Sequence, residues 1–140
     1  MAKDHYLSRL AAVPMFQACS KRDLQTLGRR GDTATIDTGH VLVREGSRGN
    51  EVYVIIDGKV EVSRDGIAVA ELGPGDYFGE LAVLDPGLRD ATVKATTPGE
   101  VYVLGRREFR ALLTEVPDLA WKIMIGMARR LHEADNRPIR

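Results

Sequence analysis

Cysteine is almost missing from this chain: Cys19 is the single thiol in 140 residues. An internal disulfide framework is therefore excluded, and the usage fits a reducing cytoplasm. Cys19 sits beside a predicted helix start with no basic and histidine pair near it, so it reads as a packing residue. Net charge is missing too, 20 basic side chains being balanced by 20 acidic ones. Proteins that live on nucleic acid carry a basic excess, because phosphate neutralisation supplies most of their affinity; DNA and RNA are not expected partners. No apolar run approaches the ~18–20 residues that cross a bilayer, so no membrane partner is expected. The charged segment Met1 to Leu10 lacks the apolar stretch of a signal peptide. Histidine is scarce. His5, His40 and His132 are scattered and form no His-x-His pair. A metal enzyme on a β-roll needs clustered histidine and carboxylate ligands, so neither a metal nor a catalytic residue is expected.

What is present is enough for one core. A hydrophobic fraction of 44% is ordinary for a globular chain, and residues 1–140 are expected to form one domain. The chain reads in three parts. Residues 4–30 look helical: Tyr6, Leu7, Leu10 and Ala11 share a face, and Val13-Pro14 breaks the helix. Ser20-Lys21-Arg22-Asp23 resembles a capping box, with Leu24 and Leu27 buried behind it and Gly28 and Gly31 ending the segment.

Residues 33–104 change character. Short runs rich in valine, isoleucine and tyrosine alternate with glycine-bearing turns: Val41 to Val43, Glu51 to Ile56, Lys59 to Ser63, Ile67 to Leu72, Ala91 to Ala95 and Glu100 to Leu104. Asp57-Gly58 and Asp65-Gly66 lie at hairpin positions, where primed turns need φ > 0. About eight short strands at this spacing predict a sandwich, roll or barrel. Residues 106–135 return to helix, Arg107 to Thr114 and then Asp118 to Asp135, with a polar tail around Pro138 read as frayed. On the second of these helices the apolar face is broad. Leu119, Ala120, Ile123, Met124 and Met127 line one side, and Trp121, Ile125, Ala128 and Leu131 extend it past half the circumference. Such a helix is expected to meet two surfaces: the roll, and another helix, a bound base or a partner subunit. Burial under the N-terminal helices is the simpler alternative.

Residues 73–93 carry the chemistry. Gly73, Gly75 and Gly79 permit tight turns and close approach of a ligand. Glu80 to Leu84 can form one or two helical turns, whose first backbone amides are free to meet an anion. Arg89 follows nine residues after Glu80 and is read as opening a strand at the mouth of the turn, where its guanidinium suits bidentate capture of a phosphate. The plainer alternative is a Glu80–Arg89 surface ion pair.

Phe78-Gly79-Glu80-Leu81-Ala82, then Arg89 and Ala91-Thr92-Val93, resembles the phosphate-binding cassette of the cyclic-nucleotide-binding family, here spanning 78–92. That family includes catabolite activator proteins, kinase regulatory subunits and cyclic-nucleotide-gated channels. Val13 to Phe16 with Ser20 to Leu24 is similar to its helical lead-in. Val43 to Gly46 and Val52 to Val60 are similar to its second to fourth strands. The resemblance implies an eight-stranded antiparallel β-roll of double-stranded jelly-roll type with N-terminal helices and two C-terminal helices. It implies a regulatory module that binds cAMP, or alternatively cGMP, without catalysis. In it Glu80 would accept from the ribose 2′-OH and Arg89 would pair with the cyclic phosphate. The amides of Leu81 and Ala82 would donate to phosphate oxygens, Gly79 would keep the turn open, and Ala91 and Thr92 would complete the cassette. The base would lie against the roll under the C-terminal helix, with Arg129, Leu131 and His132 as candidate caps. One departure stands out. Asp90 occupies a position where the family often has Ala, Ser or Thr. A carboxylate there would repel the phosphate, accept from a guanine, or simply face solvent; the missing Thr leans towards cAMP. A helix-turn-helix after the long helix would be needed for a transcription factor, and the chain stops at Arg140. The expected partners are a cyclic nucleotide and an unidentified effector protein, with a dimer through the C-terminal helix as one oligomeric option. A degenerate roll that binds protein instead of nucleotide is the rival function.

Overall fold

The computed structural model describes residues 2–135 apart from Pro14, Met15, Gln17 and Ala18, with the backbone alone at 2–6, 81, 130, 131 and 133–135. The expected frayed tail and the Leu131 side chain lie outside the described residues. In chain order the elements are α1 (Ala2–Ala11), α2 (Lys21–Arg30), β1 (Asp32–Ile36), β2 (Val41–Val43), β3 (Glu51–Asp57), β4 (Val60–Arg64), β5 (Ile67–Leu72), β6 (Tyr77–Phe78), α3 (Glu80–Leu84), β7 (Thr92–Ala95), β8 (Gly99–Gly105), α4 (Arg106–Glu115) and α5 (Pro117–Asp135). The strands form two four-stranded antiparallel sheets, ordered β1-β8-β3-β6 and β2-β7-β4-β5. The eight-stranded roll with flanking helices is thus as expected from the sequence.

Local chemistry explains most boundaries. Ser20 Oγ accepts from the Asp23 amide at 3.1 Å and Asp23 Oδ2 accepts from the Ser20 amide at 3.2 Å, a complete capping box. Gly28 does not end α2, contrary to the sequence reading; it lies inside the helix, and Gly31 is the cap. A single glycine lowers helix propensity without breaking the hydrogen-bond ladder. Asp65 and Gly66 both have positive φ, 51° and 78°, as the two-residue turn between β4 and β5 requires.

Strand β3 organises the interior. Tyr53 and Ile55 face between the sheets with Ile36, Val60, Phe78 and Val101. Val52 and Val54 face the opposite way, into a second core with Leu10, Phe16, Leu27, Tyr102, Leu112 and Ile123. Burial on both faces explains why this strand is a continuous apolar run rather than an alternating one. The N- and C-terminal helices meet in that second core. Tyr102 on β8 donates to the Leu27 carbonyl at 2.5 Å, and its ring meets Phe16 edge-on at 6.4 Å.

The outer half of the broad α5 face stays uncovered. Leu119 and Ile123 are buried, whereas Trp121, Met124 and Ile125 are exposed. Gly126 fixes how closely α5 approaches: a Cβ there would lie 2.4 Å from the Tyr77 hydroxyl, which donates to the Ile123 carbonyl at 3.5 Å. Gly126→Ala therefore sets a helix-propensity gain of about 1 kcal/mol against an overlap of typically 1–3 kcal/mol. Thermal melts are expected to show a net loss of up to about 2 kcal/mol. In a Tyr77→Phe background the same substitution becomes neutral or stabilising, because the clashing oxygen is gone.

Candidate functional site

The connection from β5 to α3 is built by glycines and one carboxylate. Asp76 Oδ2 accepts from the Gly73 amide at 2.8 Å, and the Gly75 amide donates to Ile55 O at 2.8 Å. The two-residue strand β6 then runs beside β3, and Gly79 turns the chain with φ 92°. A side chain at Gly79 would meet Glu51 O at 2.6 Å and Arg89 Nη1 at 2.8 Å. Directly after it, α3 presents first-turn amides that have no intrahelical acceptor.

Arg89 lies under this turn. It does not open a strand, as the sequence reading had it; β7 starts three residues later at Thr92. Its backbone is clamped to the loop before β3, Arg89 N donating to Ser47 O at 2.7 Å and Gly46 N to Arg89 O at 2.8 Å. Nor is its side chain at an open mouth. It is only 7% exposed, with Nη1 donating to Gly79 O at 3.2 Å and Nη2 to Glu51 O at 3.0 Å. The third nitrogen, Nε, is buried without a partner. Gly49 lies against it: a Cβ there would sit 1.7 Å from Nε.

Among the described residues no ion pair involves Arg89. Two main-chain carbonyls hold a full positive charge out of water, an expensive arrangement unless an anion completes it. Glu80 is buried as well, 3% exposed, and is engaged within the protein. The surface-pair alternative fails on burial alone, since neither side chain is at the surface.

Tyr53 lines the same corner. Its ring stacks on Phe78 with centroids 4.9 Å apart, and its hydroxyl donates to Glu51 Oε1 at 3.1 Å. Burial, with the Glu51 carboxylate adding to it, pushes the Tyr53 phenol up to about 12. Cys19 is half-buried and its thiol is likewise pushed up by burial, as a packing residue requires.

The other sequence candidates are placed as follows. Ala82 and Ala91 are half-buried, and the half-buried Thr92 accepts from the Glu45 amide at 3.0 Å. Asp90 turns outward to Arg64, with Oδ2 3.3 Å from Nη2. Arg129 and His132 on α5 are exposed. Among the described residues no group of His, Cys, Asp and Glu could hold a metal ion. Sequence reasoning missed Gly49 and the Glu51 carbonyl. Gly46 and Gly49 flanking Ser47-Arg48 marked a second glycine-bearing loop, but nothing in the sequence tied it to an arginine 40 residues later.

Comparison with known proteins identifies the family of the fold. The profile of the cyclic nucleotide-binding domain matches residues 33–116. The chain belongs to this family. Among its relatives is the CRP-like cAMP-activated global transcriptional regulator of Mycobacterium tuberculosis, 30% identical over 132 residues that cover 91% of this chain and 59% of that protein. The chain therefore spans less than two thirds of that relative's length. Among solved structures, the catabolite activator protein of Thermus thermophilus superposes with TM-score 0.80 at 31% identity, covering 87% of this chain and 60% of that one. PKAR CBD2 with Sp-2Cl-cAMPS bound superposes with TM-score 0.78 at 26% identity, covering 95% and 91%. In this cyclic nucleotide-binding domain no described helix is long and apolar enough to cross a membrane.

Two outcomes follow from the packing around Arg89 and Tyr53. Gly49→Ala is expected to lower thermal stability by roughly 1–3 kcal/mol through overlap with the guanidinium, and to do much less in an Arg89→Ala background. For Tyr53, the unfolded chain loses its phenolic proton near pH 10 while the folded chain keeps it to about 12. Stability should fall as pH rises through that window, by up to about 2 kcal/mol. Tyr53→Phe should lack this component when melts at successive alkaline pH values are compared.

Proposed function

We propose that this domain is a non-catalytic cAMP sensor in which Arg89 takes the cyclic phosphate. The observation that carries the reading is the buried guanidinium with an orphan Nε and no counter-ion among the described residues. A phosphate monoanion supplies the missing charge and acceptors together. Gly79 turns the chain past the sugar, Glu80 accepts from the ribose 2′-OH, and the first-turn amides of Leu81 and Ala82 donate to phosphate oxygens. Ala91 and Thr92 close the cassette, and Asp90 borders it. Support for cAMP comes from the relative that is named as cAMP-activated and from the neighbour that holds a cAMP analogue. Residues 1–140 act as one domain in this reading, supported by the shared core of the terminal helices and β3. The proposed compartment is the cytoplasm, in keeping with the single free thiol. The output is an effector protein. Exposed Trp121, Met124 and Ile125 on α5 offer apolar surface for pairing with a second copy.

Calorimetry with cAMP and cGMP tests the reading. Arg89→Ala is expected to cost about 2–5 kcal/mol, roughly 30- to several-thousand-fold in affinity. Arg89→Lys should lose much of this, because a point charge cannot make the fork contact. Glu80→Gln, and 2′-deoxy-cAMP on the wild type, should each lose roughly 1.5–3 kcal/mol. Circular dichroism confirms that each variant is folded. An Arg89→Ala domain that binds cAMP within about threefold of wild type places the phosphate elsewhere and overturns the assignment.

A further inference from the structure

We propose that Arg64 is an affinity-setting residue: by pairing with Asp90 it keeps a carboxylate from opposing the ligand phosphate. The inference rests on Arg89 holding that phosphate, and it concerns a residue outside the cassette.

The problem it answers arises from covalent geometry. Asp90 follows Arg89 directly, and consecutive Cα atoms lie about 3.8 Å apart. In rotamers that turn it towards the guanidinium, its carboxylate would come within roughly one Debye length, about 8 Å at physiological salt, of an anion held there. A lone carboxylate at that range repels the phosphate. A carboxylate paired with a cation acts as a dipole, whose field falls off faster with distance.

The structure supplies the cation. Arg64 closes β4, and its Nη2 lies 3.3 Å from Asp90 Oδ2. Two backbone contacts and a tight turn place the end of β4. Ser63 pairs with Thr92 across the β4–β7 ladder, which brings the end of β4 beside the cassette. The Asp65–Gly66 turn follows immediately with both φ values positive. The Asp65 amide donates to Glu45 Oε1 at 3.0 Å, which ties the hairpin tip to the loop after β2. The two side chains are 57% and 70% exposed, so the pair contributes little to folding and its removal leaves the domain intact. Its effect falls on the neighbouring charge instead.

The experiment is calorimetry with cAMP on the wild type, Arg64→Ala, Asp90→Ala and the double variant, at about 0.05 M and about 0.5 M salt. Arg64→Ala is expected to weaken cAMP roughly three- to tenfold at low salt, and the deficit should shrink at high salt as screening replaces the lost partner. Asp90→Ala should bind as well as wild type or better. The double variant should match Asp90→Ala, because Arg64 has nothing left to neutralise. Arg64→Ala within twofold of wild type at low salt overturns the inference. So does a double variant as weak as Arg64→Ala alone, since Arg64 would then act on the ligand directly. Failure of the parent reading looks different: a wild type that does not bind cAMP, or an Arg89→Ala domain that binds it normally.

Discussion

The burial of one positive charge, with no ion pair to it among the described residues, organises this molecule. Arg89 is held by the carbonyls of Gly79 and Glu51 and keeps an unpartnered Nε. Several other features exist to permit that arrangement. Gly49 and Gly79 must lack side chains, because a Cβ at either would overlap the guanidinium. The loop before β3 must close on the Arg89 backbone, which it does through Ser47 and Gly46. Both carbonyls belong to segments anchored on β3 or beside it, so the site inherits the rigidity of the most deeply buried strand. A charge kept dry in this way is costly, because the main-chain dipoles that hold it cannot neutralise it; the proposed phosphate would offset that cost.

Strand β3 is also where the site meets the helices. Its alternate residues serve two cores, one inside the roll and one beneath the terminal helices. Strand β6 repeats the division at shorter range: Phe78 stacks on Tyr53 within the roll, while the Tyr77 hydroxyl reaches the α5 backbone beside Gly126. Glu80 follows two residues after this pair and lines a cavity of about 10 Å³ with Phe16, Tyr77, Phe109 and Ile123 among its neighbours. The cassette is therefore packed directly against the helical layer. Any shift of β6 or α3 must be accommodated by repacking around Tyr77, because close-packed interiors leave no slack to absorb it.

Much of the fold was legible from the chain. The capping box, the Asp65–Gly66 hairpin, the apolar run of β3 and the broad apolar face of α5 are local signals, set by residues close together in sequence. The glycine-rich turn with Glu80 and Arg89 was legible for the same reason. Strands β1 and β6 were not singled out. Thr-Ala-Thr-Ile in β1 has little apolar alternation, and two residues in β6 are too few to show a period. Gly28 lies inside α2 although a glycine near a helix end resembles a terminator, because the following turn is held as far as Gly31.

Residue types at the candidate site, the order of the strands along the chain and the family of the roll can all be read without coordinates. That Arg89 is buried and not at an open mouth, that Gly49 is its contact, and that Asp90 is turned to Arg64 emerges only from the folded chain. The reason is physical. Turns, caps and strand faces depend on a few consecutive φ/ψ values and on side-chain periodicity. Burial of a charge depends on what covers it, and what covers Arg89 comes from segments 10, 38 and 40 positions away.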